Sequence, residues 1–299
     1  MNNGPIRSRR KFVLAASGLG ALGALAAATR ALPVSAASAT SMPVIFVGHG
    51  GPMNALRDNA FTRHLRAWGA ALPRPRAIVS VSAHWLTPGA TRVDVQAQPP
   101  TIHDFSGFPR ELHEMQYRAP GSPSMAAATA ALLAGHGATH ASDWGLDHGT
   151  WTVLHHMFPK ADVPVFQVSI DYAKPGAYHY QVGQRLAELR ARGVLVMGSG
   201  NIVHNLRATQ RGVPEGATAA TEWAHAFDNA VRSALEARDD RALVDYTRLD
   251  ASASMAVPTP DHYWPMLYAL GAAGAKETPR SVYASFQSGT VSMRCLQFG

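Results

Sequence analysis

Cysteine is almost absent from this 299-residue chain, where Cys295 stands alone. A single thiol excludes a disulfide framework within the chain and any zinc site built on cysteine pairs. Charge is sparse too, at 16% of residues against 46% hydrophobic. The chain therefore has the apolar material for a substantial core and lacks the profile of a disordered protein. Acidic residues are missing altogether from positions 1–39, which hold Arg7, Arg9, Arg10, Lys11 and Arg30. After Met42 there is no internal repeat, no low-complexity tract and no compact H-E-x-x-H pair. What the sequence has in quantity is histidine, 14 in all.

The acid-free start reads as an address. Ser8-Arg9-Arg10-Lys11 precedes an uncharged Ala/Gly/Leu run from Phe12 to Thr29, and small residues follow around Ser35-Ala36-Ala37-Ser38-Ala39. A basic region, an apolar region and an A-x-A-like end are the parts of a secretory signal. The paired arginines resemble a twin-arginine signal, which predicts that residues 1–39 are a signal peptide, that the precursor uses the twin-arginine export machinery, and that the mature protein is periplasmic. The formal charge of +7 resolves accordingly. Taking those five basic residues from the 27 leaves 22 against 20 acids, or +2. A basic footprint for nucleic acid should belong to the folded domain, so no nucleic-acid partner is expected.

Short β-branched runs alternate with helical stretches. Pro43–Val47, Ala77–Val81, Val163–Val168 and Val194–Met197 read as buried strands bounded by Gly or Pro. Helical patterning covers 58–71, 122–135, 175–192, 218–237 and 262–273. This alternation predicts one α/β domain with a central, mostly parallel or mixed sheet flanked by helices. The domain is expected to run over 42–299 with no second domain. Loops at 98–121, 207–217 and 250–261 are long enough to shape a site.

Histidines fall where such a fold places its ligands, outside the carboxyl ends of the strands. His49 directly follows the first strand, His84 the second, and His204 the Val194–Met197 strand through Gly198-Ser199-Gly200-Asn201. His262 opens a helix after Pro258-Thr259-Pro260-Asp261. Imidazole is the commonest metal ligand near neutral pH, and without cysteine such a set suits iron, zinc or a similar first-row ion. A lone histidine beside a strand is more often structural, so the weight lies on the set. His155-His156 point in different directions on a helix and read as packing and surface residues. His103-Asp104, between Ile102 and Phe105, and Asp147-His148-Gly149 each put an acid beside a histidine, which can orient it, although sequence neighbours often point apart.

At these residues the sequence closely resembles the class III extradiol ring-cleavage dioxygenases, in their DOPA 4,5-dioxygenase-like branch. The matching stretches start at Gly48 (G-H-G-G-P-M-N-A-L), Ser82 (S-A-H-W), Pro99 (P-P-T-I-H-D-F-S-G-F-P), Tyr117 (Y-R-A-P-G-S-P), Gly145 (G-L-D-H-G-T-W), Gly198 (G-S-G-N-I-V-H-N-L) and Pro258 (P-T-P-D-H-Y-W-P-M-L-Y). They keep family order across nearly everything after Met42, and the N-terminal extension is the departure. The resemblance implies a non-haem metal site with ligands His49, His84 and His262. It makes His204 either a fourth ligand or the acid/base beside the metal, and His148 a catalytic group on the substrate or oxygen side. His103 and Tyr117 are the substrate-binding candidates, with Phe105, Phe108 and Trp151 as possible selectors. It further implies Fe(II) for activity, a site that also accepts Zn(II), a catechol and O2 as small-molecule partners, and incorporation of both oxygen atoms. Oligomeric state is unknown at this level. The rival readings on the same histidines are a zinc hydrolase that activates water and a non-catalytic periplasmic protein that binds metal or catechol.

Overall fold

In a computed structural model, residues 41–210, 212–213 and 220–299 are described. The expected signal peptide lies outside them. Six strands form the central sheet: Val44–Gly48 (β1), Ala77–Ser82 (β2), Val165–Gln167 (β3), Val194–Gly200 (β4), Arg280–Tyr283 (β5) and Cys295–Phe298 (β6), in the order β3-β2-β4-β1-β6-β5. The first four are mutually parallel, whereas β6 runs antiparallel to β1 and β5 antiparallel to β6. The sheet is thus mixed, within the expectation of a mostly parallel or mixed one.

Both faces are covered, which is why the inner strands are buried throughout and mostly apolar rather than alternating. Ile45 and Val47 on β1, with Leu195 and Met197 on β4, pack under helices Ala60–Ala71 (α1) and His148–Met157 (α3). Val44, Phe46, Val194 and Val196 face the other way. Helices Pro123–Leu132 (α2), Gly176–Arg190 (α4), Glu222–Ala237 (α5) and Trp264–Ala272 (α6) cover that side. Residues 39–299 make one compact unit. Among the described residues, no helix is long and apolar enough to cross a membrane.

Helix starts follow local chemistry. Asn59 and Thr62 form a reciprocal capping box at α1, and Phe61, Leu65 and Trp68 then fall on its buried face. Asp147 caps α3 by accepting from the Thr150 amide. The long loop 98–121 contains the short helix Arg110–Glu114, and 250–261 contains Ala253–Ala256.

His179 ties α4 to α6: its Nδ1 lies 2.9 Å from the Tyr268 hydroxyl and its Nε2 3.2 Å from the Lys174 carbonyl. Burial pushes its pKa down to about 4. Between that value and the ordinary 6.5, the unfolded chain takes a proton that the fold refuses. Stability is therefore complete above pH 6.5 and falls as the pH drops toward 4. At pH 5 this residue alone should cost about 2 kcal/mol. Urea unfolding of the metal-free protein at pH 7.5 and pH 5 measures the loss, and equal free energies would contradict it.

Candidate active site

Five histidines from different parts of the chain line one cavity of about 400 Å³: His49, His84, His148, His204 and His262. Strand ends deliver the first two, since β1 ends at Gly48 and β2 at Ser82. His148 is the first residue of α3, and His204 follows β4. His262 closes the 3-10 turn Pro260–His262 that leads into α6. Close approach here depends on two glycines. A Cβ on Gly200 would lie 2.1 Å from the His262 carbonyl oxygen, so only glycine lets the His262 segment press onto β4. A Cβ on Gly149 would lie 2.6 Å from Ser82 Oγ and 2.9 Å from the His84 ring.

Hydrogen bonds decide how the rings present their nitrogens. Ser199 donates its only hydroxyl proton to the Gly149 carbonyl, so it can only accept from His49 Nδ1, 3.0 Å away. His49 Nε2 therefore carries a lone pair. His84 Nδ1 faces the Asp104 carboxylate at 3.4 Å, which leaves a lone pair on His84 Nε2 as well. The two Nε2 atoms sit 3.2 Å apart with no proton to share. Two acceptors held face to face repel one another unless a cation lies between, and the separation suits two ligands with bonds of about 2.1 Å. The donor set thus fits a borderline first-row ion.

Asp104 does more than brace His84. Its Oδ2 accepts from His148 Nδ1 at 2.9 Å, and its Oδ1 accepts from the His148 amide at 2.9 Å. Burial would raise this carboxyl, but the hydrogen bonds and charge of His148 outweigh it and hold the pKa below the usual range. Asp261 plays the same part for His262, accepting from its Nδ1. Burial again opposes ionisation there, yet the His262 contact holds the Asp261 pKa at about 2. Burial, then the neighbouring histidines, pushes His49 and His84 well below 6.5, so both are neutral imidazoles at pH 7.

Among the described residues, the tightest group of ligand atoms is His49, His84 and His148, all within 4.8 Å of one another. His262 is close by, its ring 5.4 Å from that of His49 and 5.0 Å from that of His84. His204 differs from the rest. It lies flat on His262 at 3.5 Å between centroids, and its ring has no hydrogen-bond partner among the described residues. Burial, then His262, takes its pKa down to about 3.

Phe105 and Phe108 form part of the cavity wall with Pro52, Met53, Leu206 and Val291. The two other loop candidates stand elsewhere. His103 Nε2 contacts the Met115 carbonyl at 2.9 Å, and the Tyr117 hydroxyl donates to the Phe158 carbonyl at 3.0 Å. Neither lines the cavity, and burial raises the Tyr117 pKa. Trp151 is fully buried and donates to the Ile102 carbonyl. The sequence reading had not assigned Asp104, Ser199 or Gln287 to the site. Only Asp104, beside His103, carried a visible signal.

The model of the catalytic LigB subunit of aromatic ring-opening dioxygenase matches residues 36–295. The chain belongs to the LigB family. A curated relative from Escherichia coli K12, "4,5-DOPA dioxygenase extradiol", is 44% identical over 266 residues, covering 88% of this chain and 96% of the relative. A Beta vulgaris protein of the same name is 36% identical over 85% of this chain and 95% of its own length. "Dioxygenase tasH" of Hapsidospora irregularis is 31% identical over 80% of each chain. The crystal structure of an uncharacterised Escherichia coli K12 protein, JW3007, superposes with a TM-score of 0.75 at 40% identity, covering 86% of this chain and all of the other. LigB membership places the chain among the aromatic ring-opening dioxygenases, a family that uses a non-haem metal, and the histidine cluster could hold one.

Proposed function

We propose that this LigB-family chain is an extradiol dioxygenase that opens the ring of a catechol, DOPA-like or related, with both atoms of O2 entering the product. The observation that carries the reading is the pair of facing Nε2 lone pairs on His49 and His84, inside a cavity walled by Phe105 and Phe108. We assign the metal to His49, His84 and His262, with Fe(II) as the working ion and Zn(II) as an alternative occupant. Bound there, Fe(II) would supply the redox chemistry that Zn(II) lacks.

The residues of the chain do the rest. Ser199, Asp104 and Asp261 hold the Nδ1 protons and so keep Nε2 free on each ligand. His204 is a neutral imidazole at pH 7, the form that accepts a proton from a catechol hydroxyl. His148, fixed by Asp104, stands second in line for proton movement on the substrate side. The apolar wall takes the ring face and excludes water from it. On the strength of the Arg9-Arg10 pair and the small-residue stretch after it, we place the mature enzyme in the periplasm.

Oxygen uptake decides the matter. Protein loaded with Fe(II) anaerobically and then given air should consume O2 and turn a DOPA or caffeate solution yellow. No uptake across a catechol panel would refute the proposal. Turnover of an ester or amide with Zn(II) and without O2 would point to a hydrolase on the same histidines, and tight catechol or metal binding without turnover under any metal to a binding protein.

A further inference from the structure

The cavity has a second chemical feature opposite in character to its histidines. Apart from those histidines, its only polar side chains among the described residues are Gln287 and Ser288. Among the described residues, no lysine, arginine, aspartate or glutamate lines it. Gln287 sits in a small ribbon in which Phe286–Gln287 pairs antiparallel with Val291–Ser292. Val291 also forms a backbone bridge to His204, so one ribbon carries this glutamine and pairs with the His204 segment.

The side chain of Gln287 is fixed. Its Oε1 accepts from the Gly51 amide at 2.7 Å. Because a backbone N–H can only donate, this bond settles which end of the carboxamide is oxygen. The Nε2 is left with no protein partner among the described residues, although Gln287 is only 8% exposed. That nitrogen is not wholly buried, and on the cavity wall it is available to donate to a ligand. The backbone beside it is held in an unusual shape. Ser288 has φ +51° and Gly289 φ +71°. A serine in the left-handed region is uncommon, and such residues concentrate at functional sites. The turn is pinned from outside, since the Gln210 and Thr221 amides donate to the Ser288 and Gly289 carbonyls at 3.0 Å each.

We propose that Gln287 is a specificity-determining residue that donates its Nε2–H to an oxygen acceptor on the ring substituent of the substrate. The inference rests on the catechol reading above. It assigns the substrate class as catechols whose tail ends in a carboxylate or other oxygen acceptor, read by a neutral donor rather than by an ion pair. Gln287→Glu is the sharpest variant. It keeps an oxygen for the Gly51 amide and replaces the donor with a second acceptor.

The test is binding, measured anaerobically by calorimetry on the zinc-loaded protein, so that it does not depend on turnover. The ligands are 3,4-dihydroxyphenylacetate, dopamine and, as tail-less reference, 4-methylcatechol. Relative to the reference, Gln287→Glu should weaken the carboxylate ligand at least about 10-fold and strengthen the ammonium ligand. Gln287→Met, of similar length and without a donor, should weaken the carboxylate ligand by roughly 5-fold and leave the ammonium preference alone. Ratios that move less than about threefold in both variants would overturn the assignment, as would absence of catechol binding. Binding with the expected ratios but no oxygen uptake by the iron form would sink the dioxygenase reading and leave Gln287 as the tail reader.

Discussion

Replacing His49 or His84 with alanine should yield folded protein that retains no stoichiometric metal. Each supplies one of the two Nε2 atoms that face one another at 3.2 Å, and removing either abolishes the arrangement that needs a cation. The loss should exceed the roughly 10–100-fold in affinity that outer hydrogen-bond partners of a metal ligand are worth. Elemental analysis of purified variants, beside their thermal melts, gives the answer. His262→Ala should behave in the same way, and His148→Ala should keep the metal. Stoichiometric metal in His49→Ala or His84→Ala would refute their assignment. Metal kept without His262 and lost without His148 would hand the third position to His148, the residue that completes the tightest nitrogen group.

The second large effect concerns His204. Its ring is stacked on His262, is neutral at pH 7, and is the only one of the five cavity histidines with no hydrogen-bonded partner on its ring among the described residues. A metal ligand usually has its second nitrogen anchored, whereas a group that exchanges protons benefits from an uncommitted one. His204→Ala should therefore lower kcat by about 10²–10⁴ while the metal content stays at the wild-type value. Loss of both together would make His204 a fourth ligand. Steady-state oxygen uptake and metal analysis on the same preparation separate the outcomes.

Those two assignments show what the sequence makes legible and where it stops. The strands that deliver His49, His84 and His204 are β-branched or apolar runs, readable because both sheet faces are buried. The antiparallel strands Arg280–Tyr283 and Cys295–Phe298 escaped notice. They are four residues each and mix Arg, Ser and Gln with apolar side chains. Histidine convergence followed from topology, but the partners of the histidines did not. The acid beside His148 in sequence is Asp147, and its carboxylate turns away to Ser82 and Gln167. The acid that orients His148 is Asp104, 44 residues earlier. At His262 the adjacent Asp261 does take the role. Adjacency in the chain carries no rule here, because backbone direction at each turn decides which way a neighbour points. Tyr117 and His103 illustrate the same limit, since a polar tip in a matching stretch serves packing as readily as binding.

The position of the last strand has a consequence for how the chain comes off the ribosome. β1, which ends one residue before His49, is flanked by β4 on one side and by β6 on the other. A growing chain can assemble the parallel half of the sheet early, but β1 keeps an open edge until residues 295–298 emerge and pair with it. An unpaired edge of apolar residues is a template for intermolecular pairing. The histidine cavity, which Gln287, Ser288 and Val291 help to line, is therefore complete only near the end of synthesis, and a nascent chain stalled before Cys295 carries His49 at the end of a strand still open to association with a second chain.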